Sequence, residues 1–199
     1  MHDITIKDIL NAKKNKEILM IKNSFFNVPK WIDFNNIFNK AFKEEKVHFQ
    51  SFSSMTINNS ENYSNIFNEI LSNVLKLHPG KKIGIMSIIH FQNRNNIILT
   101  DKDSEIFYQS FEKNNNHNIP DDFDYNLLKP TIHSDPVDGF FLQCEGKTQW
   151  IEYGHTDIKK HIVNPGDMLY IPSGLEHSVD SLCPRASISI SFHDKLSND

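Results

Sequence analysis

His133-Ser134-Asp135 is a His-x-Asp pair at the edge of an apolar run, and a second histidine closes Pro165-Gly166-Asp167-Met168-Leu169-Tyr170-Ile171-Pro172-Ser173-Gly174-Leu175-Glu176-His177. Two imidazoles and one carboxylate on a β scaffold are the ligand set of a non-haem Fe(II) oxygenase site. Residues i and i+2 of an extended strand share a face, so His133 and Asp135 aim one way while Ser134 points the other. A third ligand from a neighbouring strand completes a facial triad and leaves the opposite coordination positions for substrate and dioxygen. The competing reading is two unrelated surface histidines and a turn-forming Asp before Pro136, because a bare His-x-Asp is common by chance. The elements around the three residues decide between the two.

From His133 onward the chain reads as short strands separated by turns, the pattern of an all-β barrel or sandwich. The expected strands are Gly139 to Cys144, Thr148 to Tyr153, Lys159 to Val163, Asp167 to Ile171, His177 to Ser181 and Ala186 to Phe192. Glu145-Gly146-Lys147 reads as a hairpin turn and Asn164-Pro165-Gly166-Asp167 as a strong turn. Upstream, Glu17 to Ile21 reads as a strand. Trp31, Phe34, Ile37, Phe38, Ala41 and Phe42 fall at helical spacing over residues 31–44. A second helix is expected from an N-cap at Ser60, with Ile66, Phe67, Ile70, Leu71, Val74 and Leu75 as its apolar stripe and Pro79-Gly80 as its stop. Strands follow at Val47 to Phe52, at Ile83 to His90 and around Asn96 to Leu99, and residues 101–130 read as a polar loop excursion. With helices mostly before residue 80 and dense strands after 130, the chain is expected to be one helix-covered barrel over residues 1–199.

A chain of 199 residues with 38% hydrophobic and 23% charged residues has the composition of a globular domain. A net charge of −4 without a long basic block argues against nucleic acid as the main partner. The two cysteines, Cys144 and Cys183, lack metal-type spacing and fit a reduced, cytoplasmic setting. No apolar run approaches the roughly 20 residues that span a bilayer, and the first residues lack the apolar core of a signal peptide. Tyr170 and Trp150 are expected as core or pocket wall, Cys144 as a buried small hydrophobe, and His155 and His161 as surface groups. His90 closes an apolar strand and is a candidate for lining the cavity, while Asp138 and Gly139 are expected to shape the turn after the ligand pair.

These residues carry a family likeness. Pro165-Gly166-Asp167-x-x-Tyr170-Ile171-Pro172-x-Gly174-x-x-His177 resembles the second motif of cupins. His133-x-Asp135, Phe140-Phe141-Leu142-Gln143, Gly146-Lys147 and Trp150 resemble the iron-binding segment of JmjC-type, cupin-like 2-oxoglutarate oxygenases, and Ser187 to Phe192 resembles their last strand. The resemblance covers about residues 130–192. It implies a mainly β double-stranded β-helix (a cupin or jelly-roll barrel), with covering α-helices from within residues 1–80 and a metal-binding core over 130–192. It also implies Fe(II) held by His133, Asp135 and His177, and 2-oxoglutarate chelating the metal as cosubstrate. Dioxygen would be the oxidant, and a C–H bond of a small molecule, amino acid or peptide side chain would be hydroxylated. Because Asp135 is a carboxylate, the vacant site that related halogenases use for chloride is not expected. Cupin-type barrels often pair, which leaves a homodimer open.

One departure stands out. JmjC-type enzymes usually carry Lys or Arg two residues before the Trp, where it pairs with the distal carboxylate of 2-oxoglutarate; here that residue is Thr148. Either Lys147 turns inward through an irregular hairpin, or another basic group substitutes, or 2-oxoglutarate is not used. The best substitute is Arg185, with Ser187 two residues along on the same strand face, an arrangement resembling the Arg-x-Ser element of other 2-oxoglutarate oxygenases. Two other readings remain: a metal-cupin enzyme without 2-oxoglutarate, and a non-catalytic cupin module binding a small molecule or partner.

Overall fold

The computed structural model describes residues 4–51, 54–78, 80, 83–91, 132–154 and 157–193. The helices are α1 (Ile6–Asn15), α2 (Trp31–Lys43) and α3 (Ile66–Leu77). The strands are β1 (Leu19–Ile21), β2 (Val47–Ser51), β3 (Ser54–Asn58), β4 (Ile83–His90), β5 (His133–Ser134), β6 (Asp138–Glu145), β7 (Thr148–Tyr153), β8 (Ile158–Val163), β9 (Met168–Ile171), β10 (Glu176–Ser181) and β11 (Arg185–Phe192). The expected strand at Asn96 to Leu99 and the polar segment 101–130 lie outside the described residues. Among the described residues, no helix is long and apolar enough to cross a membrane.

The strands form two antiparallel sheets. Seven run in the order β1-β9-β6-β11-β4-β3-β2, and four in the order β5-β10-β7-β8. Strand parity splits the apolar residues between two cores. From β6 and β11, Phe140, Leu142, Cys144, Ala186, Ile188, Ile190 and Phe192 face the helices. There they pack with Ile9 and Ala12 of α1, Trp31, Phe34, Ile37 and Phe38 of α2, and Phe67, Ile70 and Val74 of α3. The alternate residues face the smaller sheet across the barrel interior, where Phe141, Leu169 and Ile171 meet Trp150, Val163 and Leu175. Both faces of the large sheet are covered, so β6 and β9 read as near-continuous apolar runs, whereas β11 alternates Ser187, Ser189 and Ser191 with apolar residues. This is a jelly-roll, cupin-type barrel under a helical layer.

The helices form for local reasons as well. The Asp8 carboxylate accepts the Thr5 N–H at 2.8 Å, and Asp33 does the same for Lys30 at 2.8 Å, so each helix start has an otherwise orphaned donor satisfied. Burying one large apolar side chain of α2 contributes roughly 1.5–3 kcal/mol, and Phe34 and Phe38 are wholly buried. The expected helix start at Ser60 is displaced. Ser60–Tyr63 is a 3-10 turn, and α3 begins at Ile66 after Asn65. The extended Ser64 interrupts the helix between them, so the apolar stripe, not the cap-like Ser60, marks the start.

Candidate metal centre

β5 and β10 place two candidate ligands side by side. His133 and His177 are directly opposed in the antiparallel register, with Ser134 opposite Glu176. Asp135 precedes Pro136, which favours extended backbone at the preceding residue and so continues the strand direction. Its carbonyl accepts the Gly174 N–H at 2.7 Å, tying the loop after β5 to the turn before β10. That turn, Pro172-Ser173-Gly174, is closed by a Leu175 N–H to Pro172 carbonyl bond of 3.3 Å. Gly174 takes φ 73°, a left-handed conformation in which glycine is unstrained.

One candidate ligand atom from each of His133, Asp135 and His177 lies within 4.8 Å of the other two. His177 Nε2 stands 3.8 Å from Asp135 Oδ2, and the two imidazole centroids are 4.4 Å apart. His177 is buried, while Asp135 and His133 are on the exposed side. The His177 Nδ1 lies 2.9 Å from the Leu175 carbonyl. A carbonyl only accepts, so Nδ1 carries the proton and Nε2 presents its lone pair toward Asp135. Trp150 stacks on the His177 ring at 5.2 Å and 24°, fixing its plane. Burial lowers the His177 pKa and the neighbouring His133 adds to that, against the Leu175 carbonyl and Asp135. A neutral, oriented imidazole beside a carboxylate is the donor chemistry that a divalent transition metal takes, and the set fits Fe(II).

Deeper in the barrel lies a buried polar cluster. Phe141 meets Trp150 edge-on at 4.7 Å, and its ring lies 5.7 Å from the Arg185 guanidinium carbon. Arg185 is 8% exposed, donates from Nε to Ser181 Oγ at 2.8 Å and from Nη1 to Ser187 Oγ at 3.2 Å. Burial pushes its pKa down to about 10 against the opposing charge of Asp180, so the guanidinium stays protonated at neutral pH. Thr148 donates to Gln143 Oε1 at 3.2 Å, and the Ser187 hydroxyl reaches the same oxygen at 3.5 Å. Registers Ser181↔Thr148, Ser187↔Gln143 and Arg185↔His90 place these groups on one inner surface. Among the described residues, the buried Trp150 indole N–H has no hydrogen-bond partner, which marks unmet polar capacity beside the same cluster.

The structure thus brings His133, Asp135 and His177 together, and gathers Arg185, Ser187 and Thr148 into one buried network. Lys147 does not join it. Its side chain is exposed, and its N–H donates to Cys183 Sγ at 3.1 Å in the hairpin. Strand parity is the cause: Thr148 and Trp150 face inward, so Lys147 faces out. His90 is half-buried on the strand beside Arg185, and His155 lies outside the described residues. His161 departs from its expected surface role, for its Nε2 meets the buried Glu152 carboxylate at 2.9 Å, and Glu152 also accepts the Ile18 N–H at 3.1 Å. Sequence reasoning missed Gln143 and Ser181. The available signal was parity: Gln143 is a polar residue on the same strand face as Phe141, inside an apolar strand.

Gly146 sets the hairpin behind this cluster. At φ 73° it is left-handed, and an added Cβ would collide with the Pro184 carbonyl just before Arg185. Gly146→Ala is expected to destabilise the fold by about 2–4 kcal/mol, combining left-handed strain with overpacking. The midpoint of chemical denaturation measures it, and an unchanged midpoint would show that the turn relaxes freely.

Comparison with known proteins follows the same geometry. A sequence model of the JmjC domain family matches residues 151–199, a segment that holds His177, Arg185 and Ser187 but not His133 or Asp135. A search among curated proteins finds no match to the sequence. The architecture is that of the JmjC-type oxygenase fold. Among solved structures, the ribosomal oxygenase YcfD from Escherichia coli, in complex with cobalt and 2-oxoglutarate, aligns with a TM-score of 0.65 and 15% identity over 98% of this chain and 53% of that one. The same protein with cobalt and succinic acid gives 0.64 and 17% identity over 98% and 53%. The chain therefore spans about half the length of these structural relatives, and at such identity the likeness establishes the fold.

Proposed function

We propose that this chain is an Fe(II)- and 2-oxoglutarate-dependent oxygenase that hydroxylates a C–H bond of an amino acid, peptide side chain or small molecule. The observation that carries the reading is the convergence of His133, Asp135 and His177 on one point of the barrel, with ligand atoms within 4.8 Å. When bound, Fe(II) with 2-oxoglutarate would activate dioxygen, the oxidant for C–H hydroxylation, while 2-oxoglutarate is itself oxidised to succinate and carbon dioxide. The chain's residues do the rest. His177 and His133 offer nitrogen donors, Asp135 offers a carboxylate oxygen, and Trp150 and the Leu175 carbonyl hold the His177 ring in place. Arg185 offers a fixed cationic fork for the distal carboxylate of the cosubstrate, framed by Ser181 and Ser187. Thr148 and Gln143 add polar groups to the same wall. Ser181 lies four residues along β10 from His177, roughly 13 Å at ~3.3 Å per residue, so the metal centre and the Arg185 cluster stand at different depths of the barrel. The fold it shares with a ribosomal oxygenase favours a protein or peptide side chain as the prime substrate.

Thr148 favours a second reading, a metal-cupin enzyme without 2-oxoglutarate, because a hydroxyl stands where a cation would otherwise anchor that cosubstrate. Iron-dependent conversion of 2-oxoglutarate to succinate separates the two. Succinate formation that needs added Fe(II) is expected. Iron binding with no succinate under any candidate substrate would favour the second reading.

A further inference from the structure

Two segments carry ligands to the centre: the loop from Asp135 to Asp138, and the turn from Pro172 to His177. One buried carboxylate joins them. Asp138 is 4% exposed, and its Oδ1 accepts the Ser173 N–H at 2.9 Å. The next peptide of that turn, Gly174, donates to the Asp135 carbonyl at 2.7 Å. Two successive N–H groups of the His177-bearing turn are thus held by residues of the Asp135-bearing loop.

The other oxygen of Asp138 is held by the helical layer. Oδ2 lies 2.8 Å from Lys13 Nζ on α1 and 3.4 Å from His78 Nε2 just beyond α3. His78 is wholly buried, its ring 3.8 Å from that of Phe192. Lys16, the residue that caps the C-terminus of α1, donates to the Ser173 carbonyl, so the end of this helix holds the same turn directly as well as through Lys13 and Asp138. Burial disfavours the Asp138 charge, but the His78, Lys13 and Ser173 contacts outweigh it and hold the carboxyl well below its usual range. Nothing in Asp138's place in sequence demands this investment. A turn-shaping Asp after Pro136 could sit in solvent.

We infer that Asp138 is a positioning residue for the metal centre: it fixes the separation of the Asp135 loop from the His177 turn, and through Lys13 and His78 it makes the helical layer part of the ligand geometry. This rests on the reading of His133, Asp135 and His177 as metal ligands. The rival role is purely structural, a buried ion pair whose loss lowers stability and leaves the ligand geometry alone.

Co(II) titration of the full chain distinguishes the two, read by affinity and by the visible d–d spectrum, with thermal melting measured in parallel. Asp138→Ala is expected to bind Co(II) about 10–100-fold more weakly and with an altered spectrum, the usual consequence of losing a group that orients ligands. Asp138→Asn keeps an oxygen for the Ser173 N–H but turns an amide N–H toward Lys13 and breaks the link to the helical layer, so it is expected to weaken Co(II) binding by less than the alanine variant does while its melting temperature falls. Should the alanine variant not fold, Asp138→Glu decides. It retains the charge for Lys13 but displaces the oxygen from Ser173, and a weakened, spectrally altered Co(II) site in a folded protein is expected. Parent-like affinity and spectrum in both folded alanine and glutamate variants, or in the glutamate variant alone if alanine does not fold, would overturn the inference and leave the metal reading intact. A parent protein that binds no Co(II) would overturn the metal reading, and this inference with it.

Discussion

His177→Ala is expected to abolish metal binding and turnover while leaving the barrel folded. The loss should exceed the 10–100-fold typical of removing a group that only orients a ligand, because here a ligand itself is lost. His177 is the buried member of the three, 1% exposed and stacked under Trp150, so it is the donor whose direction the protein fixes most firmly. His133 and Asp135 are more exposed, and their own variants should weaken binding in the same direction. The readouts are anaerobic Fe(II) titration and circular dichroism on the same sample. Full metal affinity in folded His177→Ala would contradict the assignment of this histidine as a ligand.

Arg185→Ala is expected to raise the 2-oxoglutarate concentration for half-maximal turnover by about 100–1,000-fold, with Co(II) affinity nearly unchanged. The argument is one of desolvation and shape. A buried guanidinium with two serine partners still has donors to spend, and a bidentate charge-assisted pair with a carboxylate contributes roughly 3–4 kcal/mol, at ~1.4 kcal/mol per tenfold. Arg185→Lys keeps the charge and loses the planar fork, so it should recover only part of the loss. The pairs to Ser181 and Ser187 hold the side chain ready, which is why the penalty falls on the cosubstrate and not on the metal. An unchanged half-saturating concentration in Arg185→Ala would remove this residue from the cosubstrate site and strengthen the reading in which Thr148 marks an enzyme that does not use 2-oxoglutarate.

Much of this architecture was legible in the sequence because the barrel strands are short and bounded by Gly and Pro turns, and because β7 and β11 keep a period of two. That period puts Thr148 and Trp150 on one strand face and Lys147 on the other, and in the structure the first two are buried while Lys147 is exposed. It also separated Arg185 and Ser187 from Ala186 and Ile188, which the structure divides between barrel interior and helical core. His133 and Asp135 were found by type and spacing, and their convergence with His177 follows from a strand pairing that no local pattern specifies. What escaped notice depends on contacts between distant parts of the chain. Asp138 reads as a turn former until Lys13, His78 and Ser173 are brought to it. His161 reads as a surface group until Glu152 appears on the neighbouring strand. Ser60 offered the side chain of a helix cap, yet local backbone geometry delays the helix to Ile66.

The most direct test of the central claim is spectroscopic. Metal-free protein is mixed anaerobically with Fe(II) and then with 2-oxoglutarate, and the visible charge-transfer band of the chelated cosubstrate is sought. The expected result is a band in the parent protein that is absent from His177→Ala and shifted to higher 2-oxoglutarate concentration in Arg185→Ala. A folded parent protein that takes up no Fe(II) and shows no band would contradict the assignment of His133, Asp135 and His177 as an oxygenase metal centre.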